Sequence, residues 1–186
     1  MAEHSVCPWW VGPLLASPVR RLVNDPAGLL KPFVRAGMTV LEPGPGMGFF
    51  TLELARLVGP GGRVVAVDLQ PRMIAGLRRR AERVGLLDRI ETRVARAATM
   101  DLDGRDDAVD FVLAFAVVHE TQSAEIFFAE AARAMKPGAS LLLAEPAGHV
   151  GAEAFDRELA SAAKCGLAAS PGPRIWRSRS AILRKI

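Results

Sequence analysis

Short apolar runs alternate with longer amphipathic segments along most of the chain. The runs hold consecutive apolar residues, which predicts strands buried on both faces, and the segments between most of them have the apolar spacing of helices. The order is typical of an α/β fold with a central parallel sheet covered by helices on both faces. The predicted strands are Met38–Glu42, Arg63–Val67, Ile90–Val94, Asp110–Ala114 and Ser140–Glu145. The predicted helices are Met47–Val58, Pro71–Val84, Ser123–Met135 and Gly151–Lys164.

The two ends of the chain depart from this alternation. Residues 1–24 are irregular and rich in Pro and Trp, which predicts an arm or cap. Asp25 followed by Pro26 predicts the first turn of a helix. Near the other end, Leu167–Ala169 and Ile175–Arg184 are separated by a turn without a helix. They therefore predict an antiparallel hairpin.

A glycine-rich turn follows the first predicted strand. Residues 42–48 read Glu-Pro-Gly-Pro-Gly-Met-Gly and lead into a predicted helix. Glycines let the backbone turn tightly and approach a ligand, and the start of a helix offers free N–H groups. Asp68 ends the second predicted strand, where a carboxylate can accept hydrogen bonds from two ribose hydroxyls. Both features lie at the carboxyl ends of strands, where doubly wound sheets bind their ligands.

The glycine spacing distinguishes two classes of ligand. The nicotinamide dinucleotide fingerprint places its third glycine three residues after the second, and Phe49 occupies that position here. Glu42 precedes the turn, where a carboxylate disfavours a pyrophosphate and attracts an amino group. The pattern favours S-adenosylmethionine, whose methionine part carries an ammonium group. A nicotinamide-dependent oxidoreductase is the alternative from another class.

Four segments resemble the class I S-adenosylmethionine-dependent methyltransferases, within a resemblance that covers roughly residues 25–186. They are residues 40–48, 64–68, 110–114 and 135–146, in the order found in that family. The resemblance implies a Rossmann-like, doubly wound and mostly parallel seven-stranded sheet with an antiparallel last strand. It also implies S-adenosylmethionine as cofactor, S-adenosylhomocysteine as product and direct in-line transfer of the methyl group.

The same resemblance implies a set of cofactor-binding residues that follow the strands. These are Glu42 for the amino group; Gly44, Pro45, Gly46 and Gly48 for the methionine part; Asp68 for the ribose; Leu69 and Met73 for the adenine; and Phe115 for the sulfonium end.

The segment after the third strand departs from the family pattern. Arg96 stands where the family often has an acid that accepts a hydrogen bond from the adenine amino group, and arginine cannot accept that bond. The backbone at Ala97, or Asp101 from the following loop, is the expected substitute. The departure also leaves open a non-catalytic protein that retains the cofactor-binding fold.

The three histidines suggest further chemistry. His119 and His149 follow the fourth and fifth predicted strands, and His4 lies in the predicted arm. They are either ordinary loop residues, or His119 or Glu120 is a general base that takes a proton from the methyl acceptor. A third alternative is a metal site. Its ligands would be His4, Cys7, His119 and His149.

Composition bounds the remaining properties. The 186 residues suit one domain, 1–186, with an arm at 1–24 and a core at 25–186. The net charge of +4 is compatible with nucleic acid, but no RNA-binding domain and no Asn/Asp-Pro-Pro-Tyr/Phe motif accompany it. A small-molecule acceptor is therefore predicted, with RNA or protein as alternatives. No run long enough to span a membrane and no signal peptide are recognised, so a cytoplasmic protein is expected.

Overall fold

Residues 10, 25–96 and 99–186 are described by the structure, a computed structural model. Most of the predicted arm, with His4 and Cys7, therefore lies outside the described residues, as does Ala97. The chain divides into two compact units that meet in sequence between Ala95 and Arg96. We refer to them as the N-terminal unit and the C-terminal unit.

Residues 25–95 of the N-terminal unit form three parallel strands and three α-helices. The strands are β1 (Thr39–Pro43), β2 (Arg63–Asp68) and β3 (Ile90–Val94). The helices are α1 (Pro26–Leu30), α2 (Thr51–Val58) and α3 (Pro71–Arg83), and a short 3₁₀ helix spans Leu87–Arg89. β2 pairs with both β1 and β3. The centres of β1 and β2 are fully buried, as predicted; Val40, Val64 and Val65 are 0% exposed. The prediction of a strand buried on both faces is wrong for β3, whose central residues are only partly buried because it is the outer strand of the sheet.

The C-terminal unit contains two parallel strands and an antiparallel pair. Its elements are β4 (Val109–Phe115), a 3₁₀ helix (Val118–Glu120), α4 (Ala124–Ala134), β5 (Met135–Pro146), α5 (Ala152–Lys164), β6 (Leu167–Pro171) and β7 (Ser178–Lys185). β4 is parallel to β5, while β7 runs antiparallel to both β5 and β6. The predicted final hairpin is therefore confirmed.

The seven strands follow the order β3-β2-β1-β4-β5-β7-β6 in one sheet. The order reverses between β1 and β4, as in doubly wound folds, and the last strand in the chain is antiparallel to its neighbours. The predicted fold class is therefore confirmed. No described helix is long and apolar enough to cross a membrane.

Two predicted boundaries are wrong for identifiable reasons. The helix expected from Met47 begins at Thr51, because the glycine turn continues through Phe50. Residues 136–138, Lys-Pro-Gly, were expected to separate a helix from a strand, but β5 includes them and begins at Met135. Met135 pairs with Val109, and the register then shifts before the regular pairing of β4 and β5. The extra residues thus form an irregularity inside the strand.

Candidate functional site

The turn after β1 has the backbone geometry that its glycines predict. Gly44, Gly46 and Gly48 have φ angles of 66°, 55° and 84°, in the left-handed region that favours glycine. The Gly44 N–H donates to the carbonyl of Val67 at 2.8 Å, and the Gly48 N–H donates to that of Pro45 at 3.0 Å. The first bond ties the turn to the end of β2, so the two predicted cofactor-binding segments of this unit lie side by side.

Asp68 fixes the geometry between the turn and the following helix. Its Oδ2 accepts from the Gly46 N–H at 3.2 Å, and its Oδ1 accepts from the Gln70 N–H at 2.8 Å. An ionised carboxylate offers about four lone-pair positions. The two backbone bonds therefore hold the side chain in place.

Glu42 is a buried carboxyl group at the end of β1. It is 3% exposed, and its Oε2 makes no hydrogen bond of normal geometry with any described residue. The pKa of Glu42 is raised to about 8, chiefly by burial and also by the negative charge of Asp68, while the nearby Thr51 hydroxyl opposes this rise. A cation close to Glu42 would therefore stabilise the ionised form that burial disfavours.

These residues fit a ligand with an ammonium group, a ribose and an adenine. Glu42 offers an unpaired acidic oxygen, and Asp68 offers a carboxylate oriented by two backbone N–H groups. A Cβ added at Gly46 would meet nothing within 4 Å, so the backbone is open to close approach there. Leu69 is 38% exposed directly after Asp68 and presents apolar surface, whereas Met73 is only 3% exposed and presents little.

The remaining predicted cofactor-binding residues are Arg96, Phe115, Pro45 and Ala97. Arg96 is exposed, and its Nε lies 3.4 Å from Asp101 Oδ2 in a surface ion pair. Phe115 is half-buried at the end of β4 in the C-terminal unit. Pro45 is buried within the turn itself. Ala97 lies outside the described residues, so the expected adenine contact there stays a prediction.

The C-terminal unit contains a second cluster of ionisable groups, around His119. Glu145, 0% exposed at the end of β5, contacts His119 Nδ1 closely with its Oε2. Its Oε1 accepts from the backbone N–H groups of Val117 and Val118, at 3.2 Å and 2.8 Å. One carboxylate thus fixes both the 3₁₀ turn and the imidazole that the turn carries.

The surroundings of His119 favour its charged form. Burial is the largest single influence and would lower the pKa of His119, but the hydrogen bond to Glu145 and the charges of Glu145, Glu120 and Glu158 together outweigh it, so the net pKa is raised. The side chain is 19% exposed. His119 is therefore partly accessible and held against a buried acid, as a proton-transferring group requires.

Glu158 completes this cluster from α5. It is 8% exposed, and its Oε2 has no hydrogen-bond partner among the described residues. The pKa of Glu158 is raised to about 7, chiefly by burial and also by the charge of Glu145, while His119 opposes this rise. Exposed His149 contributes an edge-to-face ring contact, with its centroid 5.5 Å from that of His119.

Sequence reasoning identified His119 and His149 but missed Glu145 and Glu158. A sequence signal existed for both. Glu145 is a charged residue at the end of an apolar run, and Glu158 stands at helical spacing between the buried residues Phe155 and Ala162. Each is an acid at a position that the hydrophobic pattern assigns to the core.

The described histidines do not form a metal site. No three His, Cys, Asp or Glu side chains within residues 10, 25–96 and 99–186 are placed to hold a metal ion together. His119 and His149 are neighbours, but the other two predicted ligands, His4 and Cys7, lie outside the described residues. The four-residue metal site therefore stays a prediction.

Comparisons with known proteins agree with this architecture. A solved S-adenosylmethionine-dependent methyltransferase from Aquifex aeolicus is 26% identical, with a TM-score of 0.83 over 96% of this chain and 98% of that one. A solved O-methyltransferase from Thermotoga maritima, 17% identical, shares the fold with a TM-score of 0.68 over 87% of this chain and 64% of that one. A ubiquinone/menaquinone biosynthesis C-methyltransferase from Hahella chejuensis is 33% identical over 74% of this chain and 53% of that protein.

The chain spans between 27% and 53% of the length of the first curated relatives that it matches. The family model described as a methyltransferase domain matches residues 41–143, more than half of the chain. The predicted enzyme class, methyltransferase, and the predicted cofactor, S-adenosylmethionine, agree with the matched family model and with the Aquifex structure. The chain therefore belongs to the methyltransferase-domain family.

Proposed function

We propose that the chain transfers the methyl group of S-adenosylmethionine and holds this cofactor with the turn at residues 42–48 and with Asp68. The observation that carries the proposal is the buried Glu42 carboxyl, whose Oε2 lacks a partner beside a turn opened by three glycines. A buried acid without a partner is costly. A ligand ammonium group would remove that cost, and a pyrophosphate would increase it.

The remaining contacts follow from the chemistry of each group. The Asp68 carboxylate is proposed to accept from the two ribose hydroxyls, because two backbone bonds already orient it at the end of β2. The backbone at Gly44 and Gly46 is proposed to run along the methionine part. Leu69 is proposed to pack against the adenine. When bound, the cofactor supplies a methyl group activated by its positive sulfur.

A small molecule is the proposed methyl acceptor. The Hahella relative is named for ubiquinone and menaquinone biosynthesis, in which the methylated compounds are small organic molecules. Within this chain, the fixed imidazole of His119 supports the proposal, since a small acceptor that must lose a proton needs one nearby base. Glu120 is the second candidate for that base. The whole chain is proposed to act as one domain.

Calorimetric titration with S-adenosylmethionine and S-adenosylhomocysteine tests cofactor binding, with NADH as the control ligand. Asp68→Ala is expected to weaken binding at least about tenfold, because hydrogen bonds to a charged group contribute about 1.5–3 kcal/mol each. Asp88→Ala is the matched control, since Asp88 is an exposed aspartate of the same unit. Thermal unfolding of both variants separates a binding defect from a folding defect.

Saturable binding of both adenosyl ligands, weakened in Asp68→Ala and unchanged in Asp88→Ala, would support the proposal. Binding of NADH instead, or of none of the three ligands, would overturn it.

A further inference from the structure

The two carboxylate oxygens of Glu145 contact different partners. Oε1 accepts from two backbone N–H groups, those of Val117 and Val118. Oε2 faces Nδ1 of His119. The side chain is fully buried, so it cannot exchange these partners for solvent. Oε1 is therefore held by the backbone N–H groups, and Oε2 is held by the imidazole.

This arrangement determines which nitrogen of His119 carries the proton. An ionised carboxylate can only accept hydrogen bonds, so the nitrogen that faces it must be the donor. In the neutral imidazole, Nδ1 then holds the hydrogen and Nε2 holds the free lone pair. We propose that Glu145 is the positioning residue of His119 and fixes it as the Nδ1–H tautomer, with Nε2 as the atom that accepts a proton from the methyl acceptor.

The backbone beside His119 is itself constrained. Ala116, directly after β4, has a φ of 55°, which is unusual for a residue with a side chain. Its N–H donates to the carbonyl of Ala144 at 2.7 Å, which ties it to β5 next to Glu145. Strained backbone persists only where its surroundings impose it. The chain thus enters the His119 turn in a conformation set by the same strand that supplies Glu145.

Ionisable groups of several elements lie near His119 and Glu145. Glu120 lies on the same 3₁₀ helix and Glu158 on α5, and both favour a protonated His119. His149 contacts the ring from the segment after β5. Arg179 of β7 is directed to the backbone, where its Nε donates to the Val150 carbonyl at 3.1 Å. The charges of Glu145, Glu120 and Glu158 thus raise the pKa of His119 and strengthen it as a base.

The inference rests on the proposed function and narrows its acceptor class. The acceptor atom is one that must lose a proton, as in a hydroxyl, a thiol, an amine or an acidic C–H group. In the step, the proton moves to Nε2, and the electron pair of the broken bond stays on the acceptor atom. That atom becomes the nucleophile for the methyl group, and Glu145 stabilises the imidazolium that forms.

Glu145→Gln makes a sharp test because an amide has only one oxygen. That oxygen is needed by the two backbone N–H groups, so the amide NH₂ must face Nδ1 and donate to it. The variant is expected to convert His119 to the Nε2–H tautomer and to lower its pKa. Nitrogen-15 ring spectra of the whole protein report the tautomer directly, without any acceptor. His119→Asn identifies the signal.

Glu158→Gln and Glu120→Gln are the matched controls, because each replaces one acidic group that acts on His119 and leaves the Nδ1 contact intact. Both are expected to lower the pKa of His119 and to keep the Nδ1–H tautomer. An Nε2–H tautomer in the wild type, or the same tautomer in Glu145→Gln as in the wild type, would overturn the inference. The wild-type spectrum decides the first point even if Glu145→Gln does not fold.

The ring spectra test the role of Glu145, and the calorimetric titration tests the proposed function, so either proposal can be overturned without the other. Loss of cofactor binding in the wild type would overturn the proposed function whatever tautomer is found. Normal cofactor binding with an Nε2–H tautomer would overturn only the role of Glu145. Once the methyl acceptor has been identified, Glu145→Gln is expected to lower kcat by up to about 10⁴-fold, as the equivalent acid-to-amide change does in Ser-His-Asp hydrolases.

Discussion

At the scale of single residues, the buried acids differ in how their oxygens are paired. Glu145 uses both of its oxygens, on His119 and on two backbone N–H groups. Glu42 and Glu158 each keep one buried oxygen without a partner among the described residues. Burial accordingly raises the pKa of both, to about 8 and about 7. The pKa of such a buried carboxyl group falls strongly when a cation comes close to it.

Glu42 is expected to release a proton when S-adenosylmethionine binds. With a pKa of about 8, Glu42 is mostly protonated at about pH 7 in the free protein. The ligand's ammonium would lower that pKa and drive off close to one proton. Titration in two buffers of different ionisation enthalpy measures the number released.

Glu42→Gln is the control for this prediction. The variant is expected to release no proton at this position and to bind the cofactor about 10- to 100-fold more weakly, since a hydrogen bond to a charged group is lost. Proton release of the same size in Glu42→Gln would show that another group titrates. Unchanged affinity would show that Glu42 does not face the amino group.

At the scale of elements, the glycine turn is the part of the candidate site that depends most on backbone conformation. Gly46 and Gly48 both have positive φ, yet their surroundings differ. A Cβ at Gly46 would meet nothing within 4 Å, whereas a Cβ at Gly48 would clash with Leu77 Cδ1. Gly48 therefore allows α3 to pack closely, and Gly46 leaves space that a ligand can occupy.

Gly46→Ala and Gly85→Ala form a matched pair. Gly85 lies beyond α3, also has a positive φ (66°) and also has open space around its Cβ position. Each change is expected to cost about 1–2 kcal/mol of unfolding free energy, because the left-handed conformation disfavours a side chain. Only Gly46→Ala is expected to weaken cofactor binding. Urea unfolding and calorimetric titration measure the two effects separately.

Equal affinities of the Gly46→Ala and Gly85→Ala variants would contradict a ligand at the turn. Gly48→Ala provides a second comparison at the same element. It is expected to destabilise the fold more than either, because Leu77 must also move.

At the scale of the whole molecule, raised pKa values in both units act on stability in the same direction. Glu42 belongs to the N-terminal unit, and Glu158 and His119 belong to the C-terminal unit. The pKa of each is higher in the folded chain than its ordinary value. The folded state thus binds more protons than the unfolded state over the neutral range, and stability falls as pH rises.

Thermodynamic stability is accordingly expected to fall between about pH 5 and about pH 8. The contribution of each group is fully present below its unfolded pKa and is lost as pH rises through its folded pKa. The double variant Glu42→Gln/Glu158→Gln is expected to show a shallower fall, by on the order of a few kcal/mol, because neither amide titrates. Urea unfolding across this pH range provides the measurement.

A parallel pH dependence of the wild type and the double variant would contradict this account. Asp88→Asn serves as the control for loss of one exposed acid, because Asp88 lies at the surface. It is expected to leave the slope unchanged.

The sequence by itself determined the local parts of this protein. Continuous apolar runs predicted the buried strands, because a strand covered on both faces has no polar side. The turn at residues 42–48 and Asp68 were predicted as ligand-binding elements, since only glycines suit that turn and an acid there directly follows a strand. Each of these inferences needs only residues that are close together in the chain.

The tertiary structure alone decided which acids meet which partners. His119 and Glu145 are 26 residues apart in sequence and meet because β4 and β5 pair in parallel, with Phe115 opposite Ala144. Glu158 joins them through the packing of α5. Burial, which raises the pKa of Glu42, likewise depends on the surrounding core. Hydrogen bonds and desolvation act through space, so a residue's place in the chain does not reveal them until the strands are paired.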